Sequence, residues 1–292
     1  MNRRFWKGLL ARKQAGLFSF AYNFFLEPAL RLHVCKWHVR RQYWSLPPLR
    51  IAVVSDLHAG EPFVGLKRIR QIVRRVNAIS PDLILLPGDF ARGHRFETRR
   101  VTIDEMAPAL AQLQARHGVF AVLGNHDWWD DREAQRRKAG PNVYAQTLER
   151  HGIPVLSNAA VKLDGAGFWL AGLEDQRAIL RGLRKCRGLH DLPATLEQIT
   201  DDAPVIMMAH EPDMFPEMPK QVALTVSGHT HGGQIRFAGW APFVPSQFGN
   251  RYAYGHVRED GRDLVVSGGI GCSILPVRFG VTPEITVIEL SA

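Results

Sequence analysis

The sequence predicts a mixed α/β domain whose sheet is at least partly parallel, and three observations predict it. Five short apolar runs lack polar alternation, as strands buried on both faces do. Amphipathic helical stripes separate the first of these runs, and strand–helix–strand alternation implies parallel pairing. Each run also ends in a cluster of Asp, Asn or His, and in such sheets ligands bind beyond the carboxyl ends of the strands.

Taken in order, Ile51-Ala52-Val53-Val54 leads into Ser55-Asp56-Leu57-His58, and Leu83-Ile84-Leu85-Leu86 into Pro87-Gly88-Asp89. Val119-Phe120-Ala121-Val122-Leu123 leads into Gly124-Asn125-His126-Asp127. Val205-Ile206-Met207-Met208-Ala209 leads into His210, and Val222-Ala223-Leu224-Thr225-Val226 into Ser227-Gly228-His229-Thr230-His231-Gly232-Gly233. Between the first two runs Leu66, Ile69, Ile72, Val73, Val76 and Ile79 form a helical stripe that stops before Ser80-Pro81. Met106, Leu110 and Leu113 suggest a second helix. Residues 161–170 read as a hairpin around a Gly turn, residues 264–267 and 285–290 as further strands, and residues 37–43 as a first edge strand. One catalytic domain is expected over residues 31–292, preceded by a separate segment at 1–30.

The net charge of +9 belongs to that first part of the chain. Residues 1–50 hold ten Lys/Arg and one acid, Glu27, while the remaining residues carry 27 basic and 27 acidic groups. The same fifty residues hold ten of the 27 aromatics. Residues 14–26 are the longest uncharged run there, too short for the ~20 apolar residues of a spanning helix. Phe18, Tyr22, Phe25, Ala29 and Leu32 recur at helical spacing between basic ends, which fits a helix lying on an anionic membrane surface. A docking helix with solvated basic ends is the bland alternative. Arg3-Arg4-Phe5-Trp6-Lys7 has the look of a twin-arginine export signal, but Arg12 and Lys13 interrupt the apolar stretch behind it and no A-x-A-like cleavage site appears. Three scattered cysteines suggest neither a disulfide framework nor a zinc knuckle. At 46% hydrophobic and 22% charged, the chain is not disordered.

The strand-end side chains are Asp56, His58, Asp89, Asn125, His126, His210, His229 and His231. Carboxylate, imidazole and amide without thiolate suit divalent ions such as Mn, Fe, Zn or Ni. Seven ligands with one carboxylate shared suffice for two ions, and a pair of ions ~3.5–4 Å apart clamps a phosphoryl group for in-line attack. Singly, each has a plain structural explanation as a strand-end cap, a turn residue or a core histidine.

Together, D-x-H, G-D, G-N-H-D, H and G-H-x-H form, in order, a motif series that resembles the calcineurin-like metallophosphoesterases from about Arg50 to the C-terminus. Glu27-Pro28, Leu49-Arg50-Ile51, residues 118–127, Gly228 to Gln234 and Pro276-Val277-Arg278-Phe279 look like a bacterial branch with a twin-arginine or membrane-associated N-terminal segment. One lineage there hydrolyses the pyrophosphate bond of UDP-2,3-diacylglucosamine in lipid A synthesis. The resemblance implies a two-sheet β-sandwich flanked by helices and two divalent ions (Mn, Zn or Fe). It assigns Asp56, His58 and His231 to the first ion, Asn125, His210 and His229 to the second, and Asp89 to both. His126 would act on the leaving-group oxygen, with Asp127 orienting its ring, and the glycines around His229 and His231 would let phosphate approach the backbone. Many members carry an acid three residues after the bridging Asp; this chain departs from that pattern with Arg92. Trp128, Trp129, Arg251 and Tyr252 are candidates for holding the rest of the substrate.

The expected substrate is a phosphorylated lipid or nucleotide sugar, and the expected place is peripheral, on the cytoplasmic face of an inner membrane, with twin-arginine export as the alternative. A nuclease or soluble nucleotide phosphodiesterase would prefer a basic groove, and the catalytic part is neutral overall, with no strong nucleic-acid signal. A metal-free scaffold would have lost ligands, and none is lost.

Overall fold

Runs without polar alternation are stable only where both faces are covered, and two stacked sheets with a layer outside each provide that cover. The computed structural model describes residues 31–292 except 43, 164, 183 and 184, so the segment expected at 1–30 lies outside the described residues. The main strands are β1 (His33–Arg40), β2 (Leu49–Val53), β3 (Leu83–Leu86), β4 (Val119–Ala121), β5 (Ala159–Leu163), β6 (Phe168–Gly172), β7 (Val205–Met208), β8 (Val222–Ser227), β9 (Gly255–Glu259), β10 (Arg262–Val266) and β11 (Glu284–Ser291). One sheet runs β1-β11-β2-β3-β4, with β2, β3 and β4 parallel. The other runs β9-β10-β8-β7-β6-β5, with its four inner strands parallel and antiparallel partners only at its edges.

Side chains alternate across each strand, which divides the core into three layers. Between the sheets Ile51, Val53, Leu83 and Leu85 meet Leu170, Ile206, Met208, Leu224 and Val226. Their neighbours Ala52, Ile84 and Leu86 face outward onto Ile69, Ile72 and Val76 of α1 (Leu66–Ile79) and Met106 and Leu110 of α2 (Ile103–Leu110). Val205, Met207, Leu264 and Val266 face the other way, onto Leu192, Phe215 and Tyr252. This is the helix-flanked sandwich that the motif resemblance implied.

The helical stripe forms α1 as expected. Its four fully buried residues, Ile69, Ile72, Val73 and Val76, each contribute roughly 1.5–3 kcal/mol of burial. Ser80 ends it in a left-handed conformation just before Pro81. In α2 the Thr102 side chain accepts from the Glu105 amide while the Glu105 carboxylate accepts from the Thr102 amide. The expected hairpin is β5–β6, and the first edge strand is β1, which ends at Arg40. Strand β9 has no apolar run to announce it, since as an edge strand it buries only Gly255 and leaves its other residues half-buried or exposed. Among the described residues no helix is long and apolar enough to cross a membrane.

A buried ion cluster ties the chain after β1 to β10. Asp263, 1% exposed, accepts from Arg41 Nη1 at 3.2 Å, Arg258 Nε at 2.8 Å and His256 Nε2 at 2.7 Å. Asp263→Ala strands the buried Arg41 guanidinium without its carboxylate. The expected loss is about 3–5 kcal/mol of stability, because an uncompensated buried charge remains; urea unfolding measures it.

Candidate active site

The parallel strands of both sheets deliver their carboxyl ends to one place. From the first sheet, β2 leads to Asp56 and His58, β3 to Asp89, and β4 to α3 (Asn125–Asp130), which begins with Asn125 and His126. From the second, β7 leads to His210 and β8 to His229 and His231. Three overlapping clusters result, Asp56–His58–His231, His58–Asp89–His126 and Asp89–His210–His229, each with its ligand atoms within 4.8 Å of one another. Asp89 is shared by the last two: its Oδ2 lies 3.5 Å from His58 Nε2 and 3.3 Å from His210 Nε2. All seven expected ligands are buried.

The turns that make this convergence are strained. Asp56, His58, Asp89, His229 and His231 all have positive φ, between 43° and 68°. Non-Gly residues held there cost of order 1–3 kcal/mol each, and such strain collects at functional sites. The flanking glycines serve close packing. A Cβ on Gly124 would run into the Asp89 carboxylate, and one on Gly228 into Ser55 and Asp56. Gly232 and Gly233 are likewise pressed against Val281, Tyr254 and Ala241. The space a side chain would need at these glycines is thus filled by protein, while Gly233 itself lines the cavity.

Backbone carbonyls set the imidazole tautomers. Nδ1 of His58 lies 2.9 Å from Ala91 O, and Nδ1 of His210 lies 2.6 Å from Pro87 O, so each ring turns an Nε2 lone pair inward. Nε2 of His229 donates to Pro245 O at 2.9 Å, leaving Nδ1 for the cluster. His231 differs, because the fully buried Arg278 donates to its Nδ1 at 3.1 Å while its other donors meet the carbonyls of Gly268 and Gly271. Burial pulls His58 down to about 3 and His229 down to about 4, so both rings are neutral, as metal ligands must be. Burial, with Asp89 nearby, pushes Asp56 up to about 6 and Asp127 up to about 7. Burial also opposes the Asp89 carboxylate, yet His210, His126 and His58 hold it well below the usual range.

The residues fit a pair of divalent cations. Asn125 Oδ1 and His210 Nε2 are buried with no hydrogen-bond partner among the described residues, which costs stability unless something else satisfies them. Divalent ions held there would polarise a phosphoryl oxygen and activate water for in-line displacement.

A family model for the calcineurin-like phosphoesterases matches residues 49–233. The chain belongs to this family. It is 29% identical to the metallophosphoesterase YkuE of Bacillus subtilis, over 100% of this chain and 98% of that protein. A metallophosphoesterase of Aquifex aeolicus is 28% identical over 83% of this chain and 85% of its own length. A transmembrane protein with a metallophosphoesterase domain from Danio rerio is 30% identical over 84% of this chain, which spans 54% of it. With the clustered ligands, family membership makes the chain a metal-dependent hydrolase of phosphoesters with a binuclear site.

Beside the clusters opens a cavity of about 720 Å³ lined by Asp89, Asn125, His126, His229 and His231. Nδ1 of His126 lies 2.9 Å from Arg92 O, its amide donates to Asp89 Oδ1 at 2.9 Å, and its Nε2 is 3.5 Å from Ser273 Oγ on the cavity wall. Arg92 therefore serves through its carbonyl, and the side-chain departure from the family pattern leaves that contact intact. His126 is also within ligand reach of His58 and Asp89, so distance alone does not separate it from the metal set.

Four expectations need correction. Asp127 does not orient His126: its carboxylate accepts the amides of Gly124, Asp89 and Ala91 at 2.8–2.9 Å, pinning two strand-end loops together. Trp128 is core, 2% exposed and donating to Glu174. Arg251 and Tyr252 both point to Glu259 and do not line the cavity. Trp129 does line it, with its ring 5.2 Å from that of His126. Arg177, which the sequence reading missed, lines the cavity with a buried, unpartnered Nε. Its signal was position, in the Glu174-Asp175-Gln176-Arg177 cluster just past the end of β6.

Asp89→Ala is expected to lose both ions in elemental analysis, whereas His126→Ala keeps them and loses ~10²–10⁴ in rate. A metal-free His126 variant would make that residue a ligand. Asp127→Asn gives up carboxylate acceptors and loosens the loops. Calorimetric ion titration should show affinity weakened by about 10–100-fold, with the pH profile of hydrolysis unmoved; a displaced profile would restore a direct link to His126.

Proposed function

We propose that the chain is a peripheral membrane phosphohydrolase that cleaves a phosphodiester or pyrophosphate bond in a lipid-linked substrate, with UDP-2,3-diacylglucosamine the first candidate. The observation that carries this reading is the two-sided cavity. One side presents the buried ligand set and Arg177, which suit a phosphoryl group. The lining also presents Ile235, Phe243, Val244, Ile274 and Leu275, which suit an acyl chain, with Gln234, Ser246, Gln247 and Ser273 among them as polar contacts for a headgroup. The Danio rerio relative carries such a domain on a transmembrane protein, which supports a membrane setting. The basic aromatic segment at 1–30 would hold the chain on the cytoplasmic face of an inner membrane.

In this reading Arg177 and the ligand side of the cavity hold the phosphate. His126, with its Nδ1 proton committed to Arg92 O, delivers a proton from Nε2 to the departing oxygen. Trp129 and the apolar wall exclude water around it.

The expected result is metal-dependent release of UMP from UDP-2,3-diacylglucosamine, far faster than from UDP-N-acetylglucosamine, which lacks the chains. Equal rates on both would identify a soluble nucleotide-sugar enzyme. Cleavage of a generic diester with neither substrate consumed would discard the lipid assignment.

A further inference from the structure

Among the described residues eight large apolar side chains are exposed, and six of them, Phe96, Phe237, Trp240, Phe243, Ile274 and Leu275, share one set of loops. Their exposures run from 47% for Leu275 to 65% for Ile274. Single exposed apolar residues are ordinary, but a contiguous group marks an interaction surface.

Hydrogen bonds make these loops contiguous. Ile274 N–H donates to Gly93 O at 3.0 Å, which joins the 273–275 loop to the loop carrying Phe96. Gln234 Nε2 donates to Leu275 O at 2.9 Å, and Arg236 N–H to Phe279 O at 2.7 Å, which joins it to the loop carrying Phe237, Trp240 and Phe243. The Phe237 and Phe279 rings lie 5.0 Å apart. Phe243, Ile274 and Leu275 also line the catalytic cavity, so the apolar surface is the rim of its mouth.

The sequence of this rim is unusual for solvated loops. Residues 237–250 contain no charged side chain in a chain that is 22% charged. Residues 90–96, 234–250 and 273–279 together contain no acid, while Arg92 and Arg95 stand exposed beside Phe96. Aromatic and aliphatic side chains edged by arginine match a bilayer interface, where rings enter the headgroup region and cations meet anionic lipid. A second copy of the chain would instead bring the same cations face to face.

We propose that this rim docks on an anionic phospholipid bilayer, seating the cavity mouth at the headgroups so that a lipid-linked phosphoester reaches the site without leaving the membrane. Its purpose rests on the lipid-substrate reading, but docking itself requires no hydrolysis.

The test uses the full chain with vesicles of phosphatidylcholine and phosphatidylglycerol, with and without brominated acyl chains. Bromolipid should quench the wild type measurably more than Trp240→Phe. The double variant Phe96→Ser/Trp240→Ser, both at exposed positions outside the cavity lining, should need at least about tenfold more lipid for half-maximal binding. It should hydrolyse a water-soluble diester as the wild type does. Equal quenching of wild type and Trp240→Phe, or no vesicle binding, overturns the proposal. So does a lipid-free dimer in ultracentrifugation that the double variant dissolves, since the rim would then be covered by a second copy. Trp240 quenching without UMP release would sink the substrate and keep the docking surface; UMP release without quenching would do the reverse.

Discussion

The Asp89 carboxylate, placed between His58 and His210 with one oxygen facing both, fixes where every other part of the site must stand. Its second oxygen takes the His126 amide, so the start of α3 is set by the same group. Its own amide is held by Asp127, which also holds Gly124 and Ala91. Two buried acids so close together are costly, and burial already pushes Asp127 up to about 7. Three amides on Asp127 and the imidazoles around Asp89 offset part of that cost, and cations held by the ligand set would offset more. The orphaned Asn125 Oδ1 and His210 Nε2 make the same demand from the other side.

That demand explains why the sandwich tolerates five strained non-Gly residues at its strand ends. The parallel strands are rigid and doubly covered, so short turns leaving them can be driven into left-handed conformations without the sheets yielding. Glycines at 124 and 228 let those turns approach within contact of the carboxylates. Core packing thus supplies the free energy that holds the strained turns in place.

Charge and hydrophobicity are partitioned by the same division between scaffold and loops. The chain's excess of positive charge lies in its first fifty residues and the rest is balanced. Around the cavity mouth, however, the exposed side chains are cationic and apolar, and Glu97 beside Phe96 has its side chain buried. A whole-domain charge count conceals this, because the compensating acids are elsewhere on the surface.

The sequence by itself determined the main strands other than β9, helices α1 and α2, and the eight polar side chains that gather at the strand ends. Each of those rests on local signals: apolar runs, a 3.6-residue stripe, and polar residues placed at strand ends. It missed β9, a half-buried edge strand with no apolar run, and Arg177, whose strand end was not recognised as a sixth contributor. It misassigned Trp128, Arg251 and Tyr252 because side-chain type alone does not tell a core ring from a cavity wall. Only the tertiary structure decided that Asp127 braces loops and leaves His126 to Arg92 O, and that residues far apart in the chain form one apolar rim. Those facts depend on which loops meet in space, and the pairing of distant loops is fixed by the stacking of two sheets, which no local pattern encodes.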